Sequence, residues 1–508
     1  MDSRKGRRPR RLRELGRRKP GDIILRTPRE AAQRLRRVLT VPALFSVGYG
    51  DVGSSIYYAL GIVALVAVGA TPIALFAAGL IFVCNALSYA EGGAMLPEAG
   101  GSSSWARHGF NRTVGFLAGW ALLLSYIVTI SLSAFTIPPY LGYFWEPLKT
   151  DPLLGTIVSM GIVLFLMFIN IIGVRESSWV NISAAVLDVV TQASLVLIGV
   201  VLILSPDVLQ FSIANLKQNM FGAGNWPSAS NLIFGIALAA LAYTGVETIS
   251  QMAEETRRPQ IRLPKALMMM IVVVMVMFSG ISVVALSAMP AQTLATEWAR
   301  DPVAGIAQSF PSAWLRDIFR PLVGILAATI LLIASNAGLM GSSRLIFALG
   351  ANRQLPSVFN RVHRRFKTPY VTIIAFGALA LLILSQGLFN TNVIGFFRDL
   401  GGLYVFGSLL TFAFAHASIL ALRVRKPEVP RPFKLRANIK IRGRELPITA
   451  VLGLLATSAI WVVIMVIQPY SRWVGLAWML VGLVIAVVYS RRRRADDAHA
   501  ESETEQAA

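Results

Sequence analysis

Long apolar runs constrain this chain more than any other feature of its sequence. A helix needs about 20 mainly apolar residues to cross a bilayer, and about twelve runs of the 508-residue chain reach that length. We number the predicted helices TM1 to TM12. They cover residues 40–67, 72–96, 113–142, 153–173, 181–204, 231–254, 265–288, 320–349, 369–387, 394–422, 447–468 and 471–490. With 55% hydrophobic and 15% charged residues, we predict an all-α membrane protein.

The distribution of basic residues predicts the orientation. Of the 48 Lys and Arg residues, 40 lie in the N-terminal arm, the even-numbered loops and the C-terminal tail. Because basic loops stay in the cytoplasm, both termini are predicted to be cytoplasmic, in the inner membrane of a prokaryote. Residues 1–39 are a basic N-terminal arm and 491–508 a short tail. The net charge of +22 then favours contact with anionic lipid over nucleic-acid binding.

Two glycine-containing segments interrupt TM1 and TM6. TM1 contains Gly48-Tyr-Gly-Asp-Val-Gly-Ser-Ser55, and TM6 contains Tyr243-Thr-Gly-Val-Glu247, so each has one carboxylate. Matching breaks five helices apart are typical of transporters built from inverted repeats. We predict a first repeat over 40–204 (TM1–TM5), a second over 231–422 (TM6–TM10), and two extra helices in 447–490. Irregular backbone at this depth must face protein or a water-filled cavity, although glycines also serve close helix packing.

Three further stretches carry a family resemblance. They begin at Ala90-Glu91-Gly92 after TM2, at Glu254-Glu255-Thr256 after TM6, and at Gly341-Ser342-Ser343-Arg344 after TM8. Over residues 40 to 490 the chain resembles the amino acid-polyamine-organocation (APC) superfamily. The resemblance implies a LeuT-type fold, secondary active transport and a substrate site at the two breaks. It also implies that Glu98 and Arg107 stabilise the inner gate region.

A second resemblance concerns the substrate. Asp51 and Tyr58 are seven residues apart, as in the first-helix motif of KUP-type potassium transporters. Ser125-Tyr126-x-x-Thr129 is similar to a run in a related bacterial potassium-proton symporter group, which has Asp where this chain has Ser125. The resemblance implies a cation site formed by Asp51, Gly53, Ser54, Ser55, Tyr58, Ser125, Tyr126, Thr129, Ser133, Thr244, Glu247 and Tyr404. Potassium would lie at Asp51, Tyr58, Thr129 and Thr244.

The chemistry of these residues also favours a cation. Tyr126, Thr129 and Ser133 share one face of a helix, and oxygen ligands replace the water shell of a hard cation. Asp51 would repel a substrate carboxylate at low effective dielectric, and ionisable residues within membrane helices are functional by default. The alternative is a polar seam that holds helices together.

We therefore predict a permease that imports a cationic substrate with protons, with potassium as the first choice. An amino acid or polyamine permease of the same superfamily is the alternative, since the sequence after TM6 matches amino acid permeases better and the chain has no large C-terminal domain. A nontransporting membrane sensor is a third hypothesis.

Proton coupling needs a titratable group in the membrane, and the candidates are Glu247, Asp188 and Asp51. Asp188 aligns with a Lys of TM5 that serves coupling in several family members. The sequence has no Walker motif or catalytic motif, so no cofactor and no enzymatic activity are predicted. A homodimer is left open.

Overall fold

The computed structural model describes residues 37–98, 100–173, 178–205, 211–351, 354–366, 368–390, 392–441 and 443–506. The predicted basic arm therefore lies outside the described residues, except for positions 37–39. In the described part of the chain, eleven helical stretches are long and apolar enough to cross a membrane. The first, Val41–Met95, has 55 residues, which is roughly 80 Å of helix and therefore two crossings. All twelve predicted spans are accounted for.

The spans have the following bounds: TM1, Val41–Val52 and Ile56–Ala67, joined by a 3₁₀ turn at Gly53–Ser55; TM2, Thr71–Met95; TM3, Arg112–Leu141; TM4, Pro152–Ile172; TM5, Ser178–Leu204; TM6, Ala229–Ala239 and Val246–Gln251, with a 3₁₀ turn at Ala240–Tyr243; TM7, Pro259–Ala288; TM8, Ala313–Ala351; TM9, Tyr370–Ser385; TM10, Val393–Arg425; TM11, Ile448–Ile467; and TM12, Pro469–Gln506.

The loops contain several short elements. Helices lie at Ser102–Gly109, Pro147–Thr150, Ile213–Phe221, Ala291–Thr296 and Pro302–Gln308, and 3₁₀ turns at Val68–Ala70, Met252–Glu255, Ser357–Asn360 and Gln386–Leu388. Strands β1, Asn438–Ile441, and β2, Arg444–Pro447, form an antiparallel hairpin between TM10 and TM11.

Local sequence explains where TM4 begins and ends. The carboxylate of Asp151 accepts hydrogen bonds from the N–H groups of Leu153 and Leu154, and Pro152 occupies the first turn. This combination is a strong helix start. The helix ends at Gly173, whose left-handed backbone (φ 80°) is a conformation that glycine adopts without strain.

The interior of the molecule is formed by the spans that carry the predicted site. In TM3 and in TM6, 83% of the residues of an 18-residue hydrophobic stretch are buried inside the protein. In TM12 the corresponding share is only 22%. TM2 packs along TM7 and TM3 along TM8. Each pair is five spans apart, the separation that an inverted repeat predicts. The repeat boundaries themselves stay a prediction.

Candidate functional site

TM1 is interrupted by a single 3₁₀ turn and is not unwound. The hydroxyls of Ser54 and Ser55 both donate to the backbone carbonyl of Asp51, at 2.8 and 3.3 Å. Serine hydroxyls that bond back to the preceding turn compete with the helical hydrogen bonds. A side chain at Gly53 would begin 2.6 Å from the ring of Tyr49. The glycine therefore permits close packing, and the serines define the turn.

TM6 is fully broken. Thr244 is extended, and Gly245 has a left-handed backbone with φ 114°. A Cβ atom at Gly245 would lie 2.9 Å from the backbone N of Val52 and 3.0 Å from Cβ of Asp51. Glycine is thus required at this position by backbone conformation and by space. The break places the start of the second TM6 helix against the turn of TM1.

Two buried carboxylates meet at this contact. Asp51 is 4% exposed and accepts a hydrogen bond from the hydroxyl of Thr248 at 2.6 Å. Glu247 is 2% exposed and accepts from the N–H of Gly245 at 3.0 Å. Among the described residues, no Lys, Arg or His forms an ion pair with either carboxylate. Buried carboxylates without a cation are costly, so this pair requires a proton or a cationic ligand.

Hydroxyl groups from other spans surround the carboxylates. Thr244 donates to the phenol oxygen of Tyr404 on TM10 at 2.9 Å. Tyr404 interacts electrostatically with both Asp51 and Glu247. Tyr126 of TM3 interacts electrostatically with both carboxylates and lies near the hydroxyl of Thr248, but its own buried hydroxyl makes no hydrogen bond of ordinary geometry in the described part of the chain. An unpartnered buried hydroxyl is available to a ligand.

The remaining predicted residues have other partners. The hydroxyl of Tyr58 is 2.9 Å from that of Ser55. Thr129 donates to the carbonyl of Ser125 at 2.9 Å, and the Ser125 hydroxyl accepts from Ser408 at 3.1 Å. The hydroxyl of Ser133 is buried and has no hydrogen-bond partner among the described residues. The structure thus brings TM1, TM6 and TM10 into direct contact, with TM3 facing them.

Asp188 belongs to a different cluster. Its carboxylate accepts from Tyr57 at 2.5 Å, from Tyr49 at 3.0 Å and from the amide of Gln192 at 2.6 Å. The two tyrosines lie on either side of the 3₁₀ turn, so Asp188 holds both halves of TM1 to TM5. These partners, and Thr248, are not among the residues predicted from the sequence. The i, i+8 spacing of Tyr49 and Tyr57 was the available signal, because it places both near one helix face.

Both ends of TM1 are covered. At its beginning, the N–H of Val38 donates to the carbonyl of Glu255 at 2.8 Å, and Glu255 pairs with Arg344 of TM8 at 3.2 Å. In its second half, a Cβ atom at Gly61 would clash with the carbonyl oxygen of Ala299 in the TM7–TM8 loop. The carboxylate pair is therefore enclosed on both sides.

Comparison with known proteins decides the family. The family described as "Amino acid permease" matches residues 39–488. The chain belongs to this family, within the APC superfamily. It is therefore an integral membrane permease for small molecules, as predicted.

Three relatives illustrate the range of substrates. The chain is 26% identical to a branched-chain amino acid permease of Bacillus subtilis over 93% of this chain and 96% of the relative. It is 25% identical to a vacuolar cationic amino acid transporter of Arabidopsis thaliana over 82% and 68% of the two chains. It is 24% identical to a methylthioribose transporter of Bacillus subtilis over 94% and 98%.

These names favour the amino acid alternative over potassium. The resemblance of TM1 to KUP-type transporters receives no support from them. Asp51 and Tyr58 do occur with the spacing of that motif, but the surrounding chain is that of an amino acid permease. Potassium, the first choice from the sequence, is therefore not supported, and an amino acid permease is the better interpretation.

Proposed function

We propose that this chain is a proton-coupled permease for an amino acid with a positively charged side chain. The observation that carries the proposal is the pair Asp51 and Glu247, which meet at Gly245 without a basic partner. A neutral amino acid has one cationic group, its ammonium, whereas an amino acid with a positively charged side chain has two. Two carboxylates can hold both cationic groups, or the side-chain cation and a proton.

The hydroxyl groups give such a substrate a place for its own carboxylate. Tyr126 has a buried hydroxyl that makes no hydrogen bond of ordinary geometry among the described residues, and an O–H group donates well to a carboxylate. The substrate would thus lie between the carboxylates of TM1 and TM6 and the phenol of TM3. A polyamine would use the carboxylates but leave this donor without an acceptor.

Proton coupling follows from the number of carboxylates. If the substrate replaced the only proton, substrate and proton would move in opposite directions. With two acidic groups, one can pair with the charged side chain of the substrate while the other keeps its proton, so both move together. We assign the side-chain cation to Asp51, which accepts a hydrogen bond from Thr248, and the proton to Glu247. Asp188 is the second candidate, because protonation would weaken the hydrogen bonds that its carboxylate accepts from the two tyrosines of TM1.

Uptake into proteoliposomes under an imposed pH gradient tests the proposal. Arginine, leucine, putrescine and rubidium are offered separately, and we expect arginine uptake that collapses with the pH gradient. Asp51→Asn should abolish it. Asp317→Asn, the same change at an exposed position of TM8, is the matched control and should transport normally.

Other uptake patterns distinguish between the candidate substrates and between the candidate proton carriers. Rubidium uptake without arginine uptake would restore the potassium hypothesis. Leucine uptake that survives Asp51→Asn would show a permease whose substrate does not need this carboxylate. Arginine uptake that persists in Glu247→Gln but no longer responds to the pH gradient would support Glu247 as the proton carrier, with exposed Glu428→Gln as control. The same behaviour in Asp188→Asn would move that role to Asp188.

A further inference from the structure

The segment between TM10 and TM11 is anchored to TM2 by a buried ion pair. Glu91 of TM2 is fully buried, and its carboxylate accepts from Arg423 Nε at 2.7 Å and Nη2 at 2.6 Å. The N–H of Leu435 donates to the same carboxylate at 3.1 Å. Paired and hydrogen-bonded carboxylates of this kind fix the groups around them. Residues 433–437 therefore have a defined position against the end of TM2.

This anchoring leaves a cleft of about 340 Å³ between the segment, TM2 and the first turn of TM11. Apolar side chains dominate its lining: Leu87, Phe433, Leu435 and Ala437. Leu87 precedes the end of TM2 by eight residues, roughly 12 Å of helix. The cleft thus reaches about two helical turns inward from the end of TM2.

Basic side chains lie at the same cleft. Lys434 and Arg436 line it and are exposed. Residues 433–446 contain five Lys or Arg residues and one acid, Glu445. Glu445 pairs with Lys434 at 2.5 Å, and this hydrogen bond lowers the pKa of Glu445. In the described part of the chain, Arg436 forms no ion pair, so its guanidinium is available to an anion.

We propose that this cleft is a binding site for an anionic phospholipid. Arg436 and Lys434 bind the phosphate, and an acyl chain packs along Leu87 and Phe433. An amphiphile with a negative head group is the ligand that matches an apolar lining with a basic edge. Inorganic phosphate would leave the apolar lining unused, and a neutral lipid would leave the net positive charge unpaired. The lipid comes from the leaflet at which TM2 ends and TM11 begins.

Native mass spectrometry of the full-length chain tests this site. The purified, delipidated protein is supplied with dioleoyl phosphatidylglycerol, dioleoyl phosphatidylcholine or inorganic phosphate. We expect roughly tenfold preferential retention of phosphatidylglycerol over phosphatidylcholine, since each basic residue near a surface adds to anionic-lipid binding. The double variant Lys434→Gln/Arg436→Gln should lose this preference. Both side chains are exposed, so thermal unfolding should show that the variant still folds.

Two controls separate the site from its alternatives. Arg361→Gln/Arg364→Gln removes the same charge from exposed positions in the TM8–TM9 loop and should keep the preference. Ala437→Trp fills the cleft without changing its charge and should reduce phosphatidylglycerol retention. Equal losses in the two double variants would overturn the proposal in favour of diffuse surface charge. Competition by phosphate as strong as by phosphatidylglycerol would also overturn it, and so would unchanged retention in Ala437→Trp.

Discussion

At the scale of a single residue, Thr248 is the hydrogen-bond donor to Asp51. The distance from its hydroxyl to the Asp51 carboxylate is 2.6 Å. A hydrogen bond to a charged group contributes about 1.5–3 kcal/mol, and Thr248→Val removes it while keeping the side-chain shape. We therefore expect KM for the cationic substrate to rise roughly 10- to 100-fold, measured as initial uptake in proteoliposomes.

Thr329→Val is the matched control for this change, because the Thr329 hydroxyl donates to the carbonyl of Ile325 in its own helix. Its KM should be that of the wild type. A wild-type KM in Thr248→Val would show that Asp51 does not hold the substrate cation.

Glu98, in the loop between TM2 and TM3, is a carboxylate whose charged form is stabilised by its basic neighbours. Burial raises the pKa of this carboxyl, but the hydrogen bond with His108 and the charge of Arg107 outweigh burial and lower it from 4.5 to about 2. Arg107 lies 2.7 Å away. Because the pKa is lower in the folded chain, the pairing stabilises the fold above pH 4.5 and is lost as the pH falls toward 2. The shift corresponds to on the order of 3 kcal/mol.

We predict that Glu98→Gln is less stable than the wild type at pH 7 and that the difference narrows below pH 4.5. Thermal unfolding in detergent at several pH values measures this. A difference that stays constant from pH 7 to pH 3 would mean that the glutamate acts through packing and not through its charge.

The TM6 break is the feature that matters most at the scale of elements. Gly245 combines a left-handed backbone with direct contact to TM1. Any other residue would be strained there, by about 1–3 kcal/mol, and its Cβ would displace Asp51. We expect Gly245→Ala to lower the melting temperature and to abolish uptake. Gly161→Ala in TM4 is the control, because its Cβ would meet nothing within 4 Å. Normal uptake by Gly245→Ala would exclude the tight contact between the breaks.

Most spans could be predicted from the sequence, because a run of about 20 apolar residues is enough to identify a membrane-crossing helix. TM3 was predicted over 113–142 and runs over Arg112–Leu141. TM8 begins at Ala313, seven residues before its predicted start, because its first turns carry Arg316 and Asp317 and are not apolar. TM12 continues as a helix to Gln506, beyond the predicted membrane segment, since charged residues favour helix as well as apolar ones do.

The shape of the breaks was less predictable. Glycines in TM1 suggested unwinding, but the helix only tightens at Gly53–Ser55 because two serine hydroxyls bond to the carbonyl of Asp51. The two tyrosine partners of Asp188 lie 131 and 139 residues away in sequence. Contacts of that separation are set by how the spans pack, which no local pattern encodes.

At the scale of the whole molecule, the structure is closed at both ends of TM1. Beyond the contact of Gly61 with Ala299, Lys149 pairs with Asp301 at 2.8 Å and lies over the ring of Trp298. These groups join the TM3–TM4 loop to the TM7–TM8 loop. Transport by alternating access requires one closure to open while the other holds. The carboxylate pair lies between these two closures.

Arginine and citrulline differ in charge but hardly in shape, so their relative binding tests the central claim most directly. The claim is that Asp51 and Glu247 form a site for a cationic amino acid. Equilibrium binding to the purified protein should favour arginine over citrulline by at least roughly tenfold, as expected for one charge-assisted hydrogen bond, and Asp51→Asn should remove that preference. Equal binding of arginine and citrulline by the wild type would contradict the account.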